Sequence, residues 1–313
     1  MDPFRFTLRQ LQHFLAATDA GTVTAAAESV HISQAAMSQS LTELERAVGQ
    51  QLMVRTRSHG IQLTSAGRRF LVDARELVRR AADVQQEMAD RAGQLVGPLS
   101  IGCYTAVAPF WVPFIAERFI VPHPEVSVQI VEGDGRDLQR QMLEGRFDAV
   151  ITHTGHLIDG VHHEVIRRGQ GYALVHPGHR LASREAVEVA EFGDDPFVLL
   201  DVPAVRDNQI PKLRALGLEP NIRWRSTSLE AVRGLVGRGL GWSVLVQRPP
   251  VDMSYDGFPI VPIPLLNFEP SDICFAYVQE RRSRRLRELI SLCTAEGARL
   301  DEQMPSGRAP GHG

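Results

Sequence analysis

Apolar residues recur at Phe70, Ala74, Leu77, Ala81, Val84 and Met88, a spacing of 4, 3, 4, 3, 4 that forms the seam of a heptad helix. Thr64 is placed to cap this helix and Gly97-Pro98 to break it, so the spacing predicts one helix over residues 65–95, roughly 45 Å long. A long helix with a single narrow apolar stripe cannot build a core alone and needs a partner. Packing within its own chain would satisfy it. The small alanines alternating with larger residues, and the charges elsewhere, favour a second copy of the same helix instead. The seam also divides the chain, because the sequence patterns on its two sides differ.

On the N-terminal side, Leu8, Leu11, Phe14 and Leu15 mark a first helix that Gly21 stops. Thr24 can cap a second over residues 25–30, and Ser33 a third over residues 34–48, ended by Gly49. Two short helices joined by a tight turn form a helix-turn-helix. At ~100° per residue, Met37, Leu41, Leu44 and Val48 share one buried face. The opposite face carries Ala35, Ser38, Gln39, Thr42 and Arg46, with Gln34 projecting from the first turn. Short polar and amide side chains suit base edges and phosphates in a major groove, although a solvated helix face has the same composition. The segment directly C-terminal to the third helix favours the first reading. Residues 52–56 and 61–64 are short β-like runs around Ser58-His59-Gly60, a hairpin placed as a wing, with Arg55 and Arg57 positioned for the phosphate backbone or minor groove.

Beyond Gly97-Pro98 strands and helices alternate. Strands are expected over residues 99–103, 126–131 and 148–152, with helices over 110–119 and 138–143 between them. A second unit has strands over 172–175, 197–200, 221–224 and 242–246, and helices over 210–216 and 229–236. After Pro249-Pro250 come strands over 260–263 and 273–278 and a helix over 283–295. The tail from Met304, rich in Gly and Pro, is expected to be disordered.

Composition sets the outer limits. The 313 residues are 43% hydrophobic and 23% charged, which excludes extensive disorder and allows two or three cores. The net charge of −3 is uneven: residues 1–70 carry seven Arg against five acids, which leaves −5 for the remainder, a weak sign of a nucleic-acid-facing N-terminus. No stretch approaches the ~18 uncharged apolar residues of a membrane span, and the start MDPFRFTLRQLQHF has no signal-peptide core, so a soluble cytoplasmic protein with no membrane partner is expected. Cys103, Cys274 and Cys293 are widely spaced with no C-x-x-C, and read as buried or idle thiols rather than a redox sensor.

Other constellations fail on order or spacing. Gly237-Arg238-Gly239-Leu240-Gly241 lies after a helix and before a strand, the reverse of a dinucleotide loop. His153, His156, His162, His163, His176 and His179 match no metal spacing and read as exposed loop histidines. With no G-x-S-x-G and no H-E-x-x-H, the sequence nominates no catalytic residue, metal or cofactor, and a binding protein rather than an enzyme is expected.

The stretch LRQLQHFLAATDAGTVTAAAESVHISQAAMSQSLTELERAVGQQLMVRTRSHGIQLTSAG, followed by PLSIGC, PEVSVQIVEGDGRDLQRQMLEGRFDAVI, VHPGHRLA and LEAVRGLVGRGLGWSVL, resembles the LysR-type transcriptional regulators over about residues 8–295. The resemblance implies a multidomain α plus α/β architecture. Its parts are a winged helix-turn-helix (1–64), a dimerising linker helix (65–96) and an effector-binding region (97–303) like periplasmic binding proteins. Two α/β subdomains, about 97–167 with 268–303 and about 168–267, would hold a small molecule between them. It also implies that Gln34, Ala35, Ser38 and Gln39 face double-stranded DNA, that Ser33 and Thr64 support phosphate contacts, and that Arg55 comes from the wing. Gln39 stands where many members have Arg, so the usual half-site bases do not transfer. Thr105 would meet an anionic or hydroxylated effector. Asp134, His153, Thr154, Asp201, Thr227 and Ser228 would line the same cleft, the two aspartates disfavouring a purely anionic ligand. A homodimer, a homotetramer and RNA polymerase are the partners such a protein would have. Two rivals remain at this point: a solute-binding or enzymatic α/β protein with an appended DNA-binding domain, and a structural nucleoid protein.

Overall fold

The computed structural model describes residues 5–56, 60–90, 95–246, 248–249, 251–269, 271–279 and 282–303. The chain divides into two compact units. One holds the described residues up to Pro98 together with Glu125–Ser127 and Leu143–Arg146, and the other holds the rest.

In the first unit, α1 (Leu8–Ala20) opens with a reciprocal capping box between Thr7 and Gln10, and ends at Gly21 in the left-handed conformation. The second helix, α2 (Val23–Ser29), is capped by Thr22 and not by Thr24, because the chain is already helical at Val23. Ser33 caps α3 (Gln34–Val48), and Gly49 ends it. The wing pairs β1 (Met53–Thr56) with β2 (Gly60–Leu63) in antiparallel register, Met53 opposite Leu63 and Arg55 opposite Ile61. Gly60 has φ +68°, and a Cβ there would lie 2.3 Å from the Gly21 carbonyl oxygen, so the wing seats on the α1–α2 turn only through glycine. Leu11, Phe14, Met37, Leu41, Leu44 and Leu52 form the core.

α4 is described over Ser65–Asp90, and residues 91–94, where the expected helix would run toward its end, lie outside the described residues. Its first turns belong to the core of this unit. Leu71 and Ala74 are buried in it, and the Phe70 ring packs edge-on against Phe14 at 5.4 Å and Phe6 at 6.2 Å.

The second unit contains two α/β subdomains. In the first, β4 (Val126–Gly133), β3 (Gly97–Tyr104), β5 (Ala149–His153), β12 (Ile273–Tyr277) and β6 (His162–Arg167) lie side by side in that order. β3 runs parallel to β5, while β12 returns antiparallel between β5 and β6, which brings the end of the chain back as the resemblance implies. The helices are α5 (Ala108–Ile115), α6 (Gly135–Leu143) and α9 (Arg284–Gln303), the last longer than expected. The helix expected over 110–119 is instead α5 followed by a π-helical turn at Ala116–Ile120; Pro113 inside α5 lacks the N–H that a regular ladder needs.

The second subdomain pairs β7 (Tyr172–Val175) with β10 (Ser243–Leu245) and β11 (Val261–Pro264), both antiparallel, and β8 (Pro196–Leu200) with β9 (Asn221–Ser226) in parallel. A bridge from Phe197 to Trp242 links the two sets. Trp242 is buried, stacked on Phe192 at 3.6 Å and edge-on to Phe197. Helices α7 (Pro203–Ala215) and α8 (Leu229–Gly237) complete it.

Candidate functional site

In the first unit α3 buries Met37, Leu41 and Leu44 and exposes Gln34, Ala35, Gln39, Thr42 and Arg46, with Ser38 half-buried. The Ser33 hydroxyl accepts the Ala36 N–H at 3.1 Å, which fixes the first turn of the helix. Gln39 Nε2 donates to Glu43 Oε1 at 2.9 Å, and Gln10 Nε2 donates to Glu43 Oε2 at 3.3 Å. The exposed amide is thus held in a defined direction by its own helix. Thr42, exposed on the same face, bonds back along its own helix, its hydroxyl donating to the Ser38 carbonyl. His13, against the Ser40 hydroxyl at 2.7 Å, has its pKa lowered by burial and by the charge of Arg9.

Thr64 joins wing and helix: its hydroxyl donates to the Gln51 carbonyl at 2.8 Å and accepts the Gly67 N–H at 2.9 Å. Arg55 lies on β1, and Arg57 lies outside the described residues. Glu45, which sequence reasoning passed over, accepts the Leu52 and Met53 N–H groups at 2.8 and 3.0 Å and pins the start of the wing to α3. A carboxylate on the partly buried side of that helix was its only signal.

The α4 seam is divided. Phe70 and Ala74 pack on their own unit, whereas Leu77 and Val84 stay 44% and 64% exposed; Ala81 is half-buried, and the Met88 side chain is outside the described residues.

The second unit holds a cavity of about 1010 Å³ with walls from both subdomains. Tyr104, Thr105, Ala106, Pro109, Phe110 and Asp134 come from the first. From the second come Leu200, Val202, Thr227, Ser228, Glu230 and Arg233, with Val251, Met253 and Tyr255 along a connecting segment. Of the residues named from sequence, the fold brings Thr105, Asp134, Thr227 and Ser228 together here. The other three stand outside. Thr154 exchanges hydrogen bonds with Asp272, Asp201 pairs with Arg206 and Arg225, and His153 lies in a smaller hollow alongside.

Thr105 does not cap α5. Val107 is the N-cap there, with no side-chain bond, and the Thr105 hydroxyl donates to the Gly133 carbonyl at 3.3 Å. Asp134 and Ser228 do act as caps: Asp134 Oδ1 accepts the Arg136 and Asp137 N–H groups on α6, and Ser228 Oγ accepts the Ala231 N–H on α8. Arg233, 3% exposed, was not singled out from sequence, because LEAVRGLVG gives it an ordinary i,i+3 partner in Glu230. Its burial comes from the segment at Val251 and Met253, whose carbonyls accept its Nη2 at 2.8 and 2.6 Å.

The hollow beside the cavity gathers Tyr104, His153, His156 and Gln209. His153 and His156 are 5% and 6% exposed, which corrects the expectation of loop histidines; His162 and His163 lie on β6. Burial, then the charges of His153 and Arg136, lowers the His156 pKa to about 3. Burial also lowers that of His153, against a 3.1 Å bond to the Ser271 carbonyl and the nearby Asp272 charge. Gln139, also missed, holds this turn by donating to the Gly135 and His156 carbonyls and accepting the Ile158 N–H. Tyr104, edge-on to both rings, is pushed up to about 12 by burial and by Asp134. All three thiols are buried; burial, with Glu132 beside Cys103 and Asp272 beside Cys274, pushes those two up to about 12, and Cys293 moves in the same direction.

Residues 8–68 match the bacterial regulatory helix-turn-helix protein of the lysR family, and residues 92–298 match the LysR substrate binding domain. The chain belongs to the LysR family: it is a DNA-binding transcriptional regulator with an effector-binding domain. An uncharacterized HTH-type transcriptional regulator of Escherichia coli K12, YnfL, is 31% identical over 76% of this chain and 81% of its own. The structure of HinK, a LysR family regulator from Pseudomonas aeruginosa, is 31% identical, covers 93% of this chain and 99% of its own, and superposes with a TM-score of 0.60. A hydrogen peroxide-inducible genes activator of E. coli O157:H7 is 28% identical over 84% of this chain and 86% of its own. Among the described residues no helix is long and apolar enough to cross a membrane.

Proposed function

We propose that this chain acts by binding alone: it grips an operator through α3 and the wing and changes that grip when a small molecule fills the cavity. The observation that carries the reading is the cavity itself, whose walls come from both subdomains, so that a ligand can favour one arrangement of them over another. Gln34, Ala35, Ser38 and Gln39 would meet base edges. Arg55 would meet phosphate, with Ser33 and Thr64 fixing the elements that present them. Two copies would join along Leu77, Ala81 and Val84, a tetramer and contact with RNA polymerase being further steps of the same reading.

The peroxide response named for some relatives needs a different trigger. A thiol reacts with peroxide as an accessible thiolate, and the three thiols here are buried with raised pKa. Occupancy of the cavity is the better-supported control.

The test is to select genomic fragments with the full-length protein and footprint the best site. Gln39→Ala should cost about 1–3 kcal/mol at that site and relax preference at one base pair, whereas Arg55→Ala should weaken all sequences and flatten the salt slope by about one unit. Gln39→Ala with unchanged affinity and base preference contradicts the placement of α3.

A further inference from the structure

We infer that the cavity selects an amphipathic organic cation, an apolar body carrying a protonated amine, over a carboxylate of the same shape. The inference rests on reading the cavity as the effector site. Helix N-termini are the usual anion receptors of such a fold, and each of those around this cavity is partly blunted. In α5, Pro109 has no N–H and the Phe110 N–H already donates to the Val107 carbonyl at 3.1 Å. The first residue of α7 is Pro203. In α6 the Arg136 and Asp137 N–H groups are taken by Asp134, and in α8 Ser228 takes the Ala231 N–H while Glu230 puts a negative charge in the first turn.

Side chains point the same way. Arg233 is the only guanidinium or ammonium among the described residues lining the cavity. Its Nη2 donates to two carbonyls and its Nε faces Glu230 Oε1 at 3.1 Å, so an incoming anion would have to compete with a carboxylate already beside it. Carboxylate oxygens are left over on both walls: Glu230 Oε2 is buried with no hydrogen-bond partner, as is the Arg233 Nε donor beside that carboxylate, and the caps on α6 use only one oxygen of Asp134. An ammonium at either of these carboxylates would gain charge-assisted hydrogen bonds, with the Tyr104 and Phe110 rings lining the same cavity for its body. A carboxylate would meet like charge in a partly desolvated site.

The experiment uses the full-length protein and three matched sets of probes: 2-phenylethylamine with 3-phenylpropanoate, tryptamine with indole-3-propanoate, and octylamine with nonanoate. Melting shifts and calorimetric titration read the binding. At least one amine should bind saturably and about tenfold or more tighter than its carboxylate partner. Glu230→Gln should abolish that preference by freeing Arg233, and Glu230→Asp should keep most of it. Asp134→Asn, which preserves the α6 cap, should weaken the amine without lowering the melting temperature of the free protein. Equal or tighter carboxylate binding overturns the inference, as does an amine preference untouched by both Glu230→Gln and Asp134→Asn, or no saturable binding by any probe. Filling the cavity with Thr105→Trp separates the two levels. Probe binding that survives it contradicts the cavity as effector site, whereas a carboxylate preference that it abolishes overturns only the charge selectivity.

Discussion

Removal of the Thr105 hydroxyl deletes one 3.3 Å bond to the Gly133 carbonyl and no helix cap. Thr105→Val should therefore cost about 1 kcal/mol and melt within about 2–4 °C of the parent protein, while effector affinity falls; thermal melts and titration of the same samples check both. His156 gives a pH signature. Its pKa is 6.5 ordinarily and about 3 in the fold, so the unfolded chain binds more protons between these values. Its contribution is intact above pH 6.5 and is lost as the pH falls toward 3, at about 1.4 kcal/mol per pH unit. Denaturant melts from about pH 7 to about pH 4 should show this slope, and His156→Phe should flatten it, with buried His153 supplying a residual dependence in the same direction. A flat profile in the parent protein contradicts the burial of these rings. That Thr105, Asp134, Thr227 and Ser228 share one cleft was an expectation from the family resemblance, while periodicity set only their places at strand ends and helix starts. The burial of Arg233 and the two histidines could not be read from sequence: what buries them is the path of remote segments, at Val251 and Met253 for the arginine and at Ser271 and Asp272 for His153.

At the scale of elements, α4 serves two environments along one stripe. Ala74 is fully buried in the helix-turn-helix core, so Ala74→Glu should unfold that unit, whereas Leu77→Glu alters an exposed position and should leave a folded chain. If Leu77 and Val84 form a contact between copies, Leu77→Glu places like charges opposite each other, and sedimentation at micromolar protein should show dissociation; an unaltered oligomer removes the seam from the interface. Gly67 tests how the helix meets the wing. A Cβ there would lie 1.9 Å from the Leu52 carbonyl oxygen, so Gly67→Ala should cost about 1–3 kcal/mol by chemical denaturation. The heptad was legible in the sequence, but its use was not: spacing records that a stripe must be covered and not what covers its first two turns. β6 was missed for a related reason. HHEVIR lies at the edge of its sheet with only Ile166 buried, so its side chains carry no alternating apolar pattern.

For the molecule as a whole, population shift would join a DNA-reading helix to a ligand cavity: a ligand that prefers one arrangement of the subdomains can alter the grip on DNA only by its difference in affinity for the two. Architecture at this scale was largely open to sequence reasoning. The change of pattern at Gly97-Pro98 separates helical from alternating elements, and the late strand and helix return to the first subdomain as β12 and α9. The chemistry of the effector was not, because Glu230, Arg233 and the two prolines acquire their meaning only where the four helix ends meet. The most direct test is hydroxyl-radical footprinting of the full-length protein on its best selected site, with and without a saturating cavity ligand, for the parent protein and Thr105→Val. The account predicts that ligand changes the parent footprint or its midpoint, and that Thr105→Val binds the same DNA without responding. A parent footprint indifferent to saturating ligand, or a Thr105→Val response at the parent's ligand concentration, would contradict it.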